Sequence, residues 1–201
     1  MIPVLLAEDQ TLLRQALAEI LDREDDIAVV AQVGRGDEVL GAALDSRAHV
    51  ALVDIEMPGG DGIDAAAQLR ARLPDCRVLI LTTFGRPGYL RRAMAAGASG
   101  FMLKDAPASE LAVAIRRTMA GQRVVDPQLA AQALTEGDSP LSSRETEVLS
   151  ASADGSSVAL VAQRLFLSEG TVRNHLSAAI QKLNARNRTE AARIAAEKGW
   201  L

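Results

Sequence analysis

The chain has 201 residues, 48% of them apolar and 2% aromatic, with a formal net charge of −4. That length and apolar content suffice for two small cored domains without covalent staples, and the single cysteine, Cys76, excludes an internal disulfide framework. No apolar run reaches membrane length and no secretory leader is legible, so a cytoplasmic protein with no membrane insertion is expected.

In chain order, Val4–Ala7, Ile27–Val33, Val50–Val53, Val78–Leu81 and Phe101–Leu103 are short, nearly unbroken apolar runs. Between them apolar residues recur at steps of three and four: Leu12, Leu13, Ala16, Leu17, Ile20 and Leu21 first, then Val39, Leu40, Ala43 and Leu44, then Ile63, Ala66 and Leu69. Leu90, Ala93 and Met94 and finally Leu111, Ala114 and Ile115 repeat the pattern. Short apolar strands alternating with amphipathic helices predict an α/β domain, a doubly wound five-stranded parallel sheet of the flavodoxin type. In such sheets the ligand crevice lies beyond the carboxyl ends of the strands. Glu8 and Asp9, Asp54, Thr82 and Lys104 stand at those ends. Converging carboxylates favour a hard divalent cation such as Mg²⁺, with the backbone carbonyl of Glu56 as a further ligand. Taken singly, each has a plainer reading: Asp9 as a cap for the first helix, Lys104 as a surface group, Thr82 as a satisfied local hydroxyl. Met57 to Gly62, with three glycines and a proline, predicts a tight turn beside the site.

From Gly121 to Pro140 the chain reads as a connector, with Pro127–Leu134 able to form a short helix. From Leu141 onward four helices are expected: one capped by Ser142 or Ser143 and ended by Gly155, a short one through Val158, Val161, Ala162 and Leu165, a third capped by Ser168, and a fourth capped by Thr189. The second and third, separated by Phe166-Leu167-Ser168, have helix-turn-helix spacing. Residues 141–201 hold 6 acids and 8 bases against 17 and 13 in residues 1–120, a surplus that permits nucleic-acid binding without requiring it. The third helix exposes Arg173, Asn174 and Ser177, of which arginine and asparagine are natural base-edge readers; Thr171 at its head is a further DNA contact, and Lys182 and Arg186 suit phosphates. A helical protein-docking module remains the alternative at this level.

The motifs LLAEDQ, LVDIEMPGGDGI, VLILTT and GASGFMLKDAP resemble the receiver of two-component response regulators of the NarL/FixJ class, and LSSRETEVLSASADG with VAQRLFLSEGTVRNHLSAAIQKLNARNRTEAARIAAEKG resembles the LuxR-type DNA-binding domain. The resemblance implies a receiver over residues 1–122, a linker over 123–140 and a DNA-binding domain over 141–201. It implies Asp54 as phosphoacceptor from a sensor histidine kinase, Glu8 and Asp9 as Mg²⁺ ligands, and Thr82 and Lys104 in contact with the phosphoryl group. Phe101 falls at the aromatic switch position, with a permanently buried core ring as the competing reading. Glu145 matches the family's first-helix glutamate, and Glu169 to Leu183 the recognition helix. A phosphorylation-driven homodimer on palindromic or tandem half-sites of double-stranded DNA follows from the same likeness. No dedicated enzyme is implied, only slow self-dephosphorylation, with Glu56 and Phe84 beside the water's path. Stretches such as TTFGRPGYLRRAMAAGASGFMLKDAP are similar to regulators of membrane-lipid desaturation. One departure stands out: Val158, Ala159 and Leu160 replace the polar triplet of relatives and predict an exposed apolar patch. The rival readings are a phosphorylation-independent DNA-binding regulator and a signalling adaptor whose C-terminal helices bind protein.

Overall fold

A computed structural model describes residues 1–83, 87–127, 129–131 and 139–201. The chain divides into two compact units, one carrying a sheet with its helices and one carrying the four C-terminal helices.

In the first unit the elements run β1 (Ile2–Ala7), α1 (Thr11–Leu21), β2 (Ile27–Val33), a 3₁₀ turn (Gly36–Glu38), α2 (Val39–Ser46), β3 (Val50–Asp54), α3 (Gly62–Arg72), β4 (Arg77–Thr82), α4 (Pro87–Ala95), β5 (Gly100–Leu103), α5 (Ala108–Met119) and β6 (Val124–Val125). All pairings are parallel, in the order β2-β1-β3-β4-β5-β6. Because β3 lies near the middle of the sheet and is covered on both faces, all five of its residues are buried, the reason an unbroken apolar run ends directly in Asp54. Val4, Leu6, Leu52 and Leu79 from the sheet pack with Leu21 of α1 and Leu111 and Ile115 of α5 in one core.

Two expectations need correction in this unit. The sheet has six strands rather than five: Val124 and Val125 pair with Gly100 and Phe101, inside the stretch read as linker. Two residues between Arg123 and Asp126 carry no periodicity, so only the neighbouring strand edge reveals them. Asp9 does not cap α1, whose N-cap is Gln10 with no side-chain bond. The helix is also turned so that Ala18 and Leu21 are buried while Leu12 is 82% exposed.

In the second unit α6 (Ser143–Ala151), α7 (Val158–Leu165), α8 (Glu169–Lys182) and α9 (Arg188–Glu197) close around Val148, Leu149, Val161, Val172, Leu176, Ala179, Ala191 and Ala195. Serine hydroxyls start three of them. Ser142 forms a capping box with Glu145, while Ser157 and Ser168 accept from the N–H groups of Leu160 and Thr171. The fourth cap is Asn187, not Thr189: Asn187 is extended, and its side chain accepts from Glu190 N at 2.9 Å. Helix α6 stops at Ala151, short of Gly155. Between α7 and α8, Phe166 takes a left-handed conformation at φ 55°, the turn of the helix-turn-helix.

Of the predicted connector helix, residues 127 and 129–131 are helical, with Asp126 Oδ1 accepting from Leu129 N at 3.1 Å; the remainder of Pro127–Leu134 lies outside the described residues, as does Phe84.

Candidate functional site

The carboxyl ends of β1, β3, β4 and β5 bring Glu8, Asp54, Thr82 and Lys104 together. Glu8 is wholly buried, and Asp54 and Thr82 nearly so. Lys104, with its side chain 6% exposed, is the hub: Nζ lies 2.7 Å from Glu8 Oε2 and 2.9 Å from Asp54 Oδ2. The Glu8 contact is a buried ion pair, and Lys104 is the one cation beside Oε2 among the described residues. Its other oxygen accepts from Gln10 N at 3.1 Å, while Arg14 reaches back to the Glu8 carbonyl. Backbone N–H groups of Glu56 and Ile55 hydrogen-bond the Asp54 carboxylate. Lys104 N donates to the Thr82 carbonyl at 2.8 Å, tying the last two strand ends into one rim.

The electrostatics follow from burial. Removal from water is the largest influence on both Glu8 and Asp54 and raises their pKa values, against the opposing pull of Lys104. For Lys104 burial is again the largest single effect and acts to lower its pKa. Its contacts with Glu8 and Asp54 and their charges together outweigh it and hold the ammonium above its ordinary value. Exposed Asp9 completes an acidic triad: one oxygen from each of Glu8, Asp9 and Asp54 lies within 4.8 Å of the others. Three carboxylates against one lysine carry a formal charge of −2. Opposite oxygens around Mg²⁺ stand about 4.2 Å apart, so the donor set fits a hard divalent cation in both charge and spacing.

The turn after Asp54 is built around glycine. Gly62 N donates to the Ile55 carbonyl at 2.9 Å, and a Cβ at Gly62 would sit 1.9 Å from the Asp54 carbonyl oxygen. Gly36 is packed as closely: a Cβ there would lie 2.2 Å from the Gly60 carbonyl oxygen, and Gly36 N donates to Pro58. The close approach expected of the Met57–Gly62 turn is therefore present, and Gly36 holds it from a segment with no obvious motif. Phe101 is fully buried on β5, between Ile80 and Val125.

In the second unit α8 buries Val172, Leu176 and Ala179 and leaves Arg173, Asn174 and Ser177 exposed on another face. Three of the expected nucleic-acid contacts already have partners. Arg173 pairs with Glu169 at 2.6 Å, Arg186 with Glu190 at 3.0 Å, and Lys182 with Glu145 at 2.7 Å. The first is an exposed helical pair worth about 0–1 kcal/mol and exchanges easily. In the second, Arg186 lies just before α9, and the half-buried Glu190 carboxylate accepts from both its guanidinium and its backbone N–H. The third is different, because the Glu145 side chain is only 9% exposed and also accepts from Ser142 N. The Thr171 hydroxyl lies 2.8 Å from Ser168 Oγ, at the helix start. The expected Val158–Leu160 patch is smaller than its sequence implies: Val158 packs against the core, leaving Ala159 and Leu160 exposed, Leu160 at 39%.

A parallel α/β unit with an acidic, lysine-bridged pocket at its strand ends, joined to a helix-turn-helix unit, defines a response regulator of the DNA-binding type. Residues 4–116 match the response regulator receiver domain and residues 139–195 match the bacterial regulatory proteins of the luxR family. The chain is 46% identical to the transcriptional regulatory protein YvfU and 44% identical to the transcriptional regulatory protein DesR, both of Bacillus subtilis, over 100% of this chain and of each relative. It is similar in structure to the response regulator ChrA of a heme-sensing two-component system, at 38% identity and TM-score 0.57, covering 100% of this chain and 98% of ChrA. The chain belongs to the response regulators that join a receiver domain to a LuxR-family DNA-binding domain. Among the described residues no helix is long and apolar enough to cross a membrane.

Proposed function

We propose that this transcriptional response regulator is switched by phosphoryl transfer from a sensor histidine kinase to Asp54. The observation that carries the proposal is the bridging ammonium of Lys104, 2.9 Å from Asp54 and 2.7 Å from Glu8 in a buried pocket. An Asp54 oxygen attacks phosphorus in line, the phosphorus–nitrogen bond of the kinase phosphohistidine breaks, and the imidazole nitrogen keeps the electron pair. Lys104 then follows the growing negative charge onto the phosphoryl oxygens, and the Thr82 hydroxyl donates to one of them. Glu8, Asp9 and Asp54, with the Glu56 carbonyl, would hold Mg²⁺, which supplies further neutralisation of the transferring group.

A dianionic phosphoryl group on Asp54 competes with Glu8 for Lys104. Movement of Thr82 toward that group shifts the packing against Phe101, and the surface of α4, β5 and α5 changes with it, a population shift between two packings. The outcome is a homodimer whose two C-terminal units engage half-sites about one helical turn apart. Arg173, Asn174 and Ser177 read base edges, Thr171 and Arg186 contact phosphates, and Lys182 acts mainly by holding Glu145. The protein works in the cytoplasm, as a receiver that runs through β6 at Val125, a linker from there to Pro140 and a DNA-binding domain over 141–201. The test is intact-mass analysis after incubation with Mg²⁺ and a small phosphoryl donor. One added phosphoryl group that Asp54→Ala abolishes supports the reading; undiminished labelling of the variant refutes it.

A further inference from the structure

At the opposite end of the sheet from the acidic pocket, where β4, β5 and β6 begin, lies a cavity of about 400 Å³. Three arginines from separate stretches of chain line it, Arg70 and Arg123 exposed and Arg77 half-buried. Arg70 comes from the last turn of α3, Arg77 is the first residue of β4, and Arg123 directly precedes β6. Among the described residues none of the three makes an ion pair or side-chain hydrogen bond, and no carboxylate lines the cavity. Thr118 on α5 lines it too, wholly buried and with Oγ1 lacking any hydrogen-bonding partner. Ser99, immediately before β5, adds a second hydroxyl.

The plainer role for these arginines is to offset helix dipoles, since α3, α4 and α5 end at this rim. Three helix carboxyl ends carry about −0.5 charge each. Against three guanidiniums that leaves a surplus of about +1.5, in a chain whose formal net charge is −4. Nor do dipoles account for Thr118, because a buried hydroxyl without a partner costs about 1–3 kcal/mol and is retained where something completes it. Guanidiniums present paired donors that match phosphate oxygens, and the cavity volume falls within the range of small-ligand sites. We propose that this cavity is a binding site for a small ligand bearing a diphosphate group. Arg70, Arg77 and Arg123 clamp its oxygens and Thr118 donates the inner hydrogen bond.

The site stands independently of the acidic pocket, which lies beyond the far ends of the same strands. Its position matters because Arg123 and β6 are where the chain leaves the sheet, so an occupied cavity ties the end of α5 to the start of β6.

The experiment is calorimetric titration of the full chain, without divalent cations and at low ionic strength, with inorganic pyrophosphate and, in a second arm, with a nucleoside diphosphate. Binding with Kd below about 1 mM is expected, weakened at least tenfold by the double variant R77A/R123A and severalfold by T118V, whose added methyl replaces the hydroxyl at equal size. Circular dichroism establishes that the variants fold. A double variant R173A/R186A should bind as the wild type does, which separates this cavity from the cationic face of the second unit. Tighter binding of the nucleoside diphosphate identifies a nucleotide, and equal binding identifies the diphosphate alone. No binding of either at 10 mM, or binding that R77A/R123A leaves unchanged, overturns the proposal.

Discussion

Asp54→Asn should stabilise the receiver unit at neutral pH in the absence of divalent cations, because the acidic pocket is assembled at the expense of folding. With an effective dielectric of about 20, two like charges 4.8 Å apart repel by about 3.5 kcal/mol and an opposite pair at 2.9 Å attracts by about 6 kcal/mol. Neutralising Asp54 relieves about 7 kcal/mol of repulsion with Glu8 and Asp9 and forfeits about 6 kcal/mol from Lys104. Asp9 is exposed and partly screened, so these terms nearly cancel and the burial of the Asp54 charge decides the sign. A net gain of about 1–2 kcal/mol is expected, equivalent to about 4–10 °C in the receiver transition. The pH dependence has a definite direction. The folded pKa of Asp54 is raised, so its penalty is absent below the ordinary value of 3.8 and grows as pH climbs through the folded value. Thermal unfolding from pH 3 to 8 should therefore show the wild type and variant converging in acid and diverging toward neutrality. Added Mg²⁺ should narrow the gap by stabilising the wild type more. A variant less stable than wild type at pH 8 without cations, or a gap that persists in acid, would refute the reasoning.

Gly62→Ala should destabilise the receiver by about 3 kcal/mol or more, since its methyl group would meet the Asp54 carbonyl at 1.9 Å and force the acceptor strand to move; denaturant unfolding checks this. Glu145→Gln should cost the second unit about 1–3 kcal/mol, because it weakens the capping box and leaves Lys182 unpaired. The Lys182 hydrogen bond is the largest cause of the lowered pKa of Glu145, with the Ser142 N–H next. The stabilisation is thus present above the ordinary 4.5 and is lost as pH falls through the folded value, which a urea series from pH 3 to 7 will resolve. Arg173→Ala should weaken operator binding by about 1–3 kcal/mol and relax selectivity at one base pair, whereas Arg186→Ala should weaken all sequences alike and lower the salt slope by about 1. Competition binding over a panel of single-base operator variants distinguishes the two.

The pocket is legible in sequence because parallel strands have fixed ends: an unbroken apolar run that stops at an acid, a threonine or a lysine declares where that side chain must stand. Helix starts are legible wherever serine precedes an apolar period, as at Ser142 and Ser168. Thr189 reads as the fourth cap, and only the extended backbone at Asn187 and its bond to Glu190 N show that the helix starts two residues earlier. β6 is not legible, since two valines gain their pairing from an edge built about 20 residues earlier. The same holds for the pairs that join distant segments. Lys182 reads as a phosphate contact until α6 and α8 are packed and Glu145 is found beside it. Gly36, similarly, gains its meaning from the turn at Pro58–Gly60.

Coupling of Asp54 to assembly is the central claim, and sedimentation equilibrium of the full chain with Mg²⁺, before and after a small phosphoryl donor, tests it directly. A monomer-to-dimer shift that requires the donor and disappears in Asp54→Ala is the expected result. An unchanged mass, in protein whose intact mass proves that the phosphoryl group is attached, would contradict it.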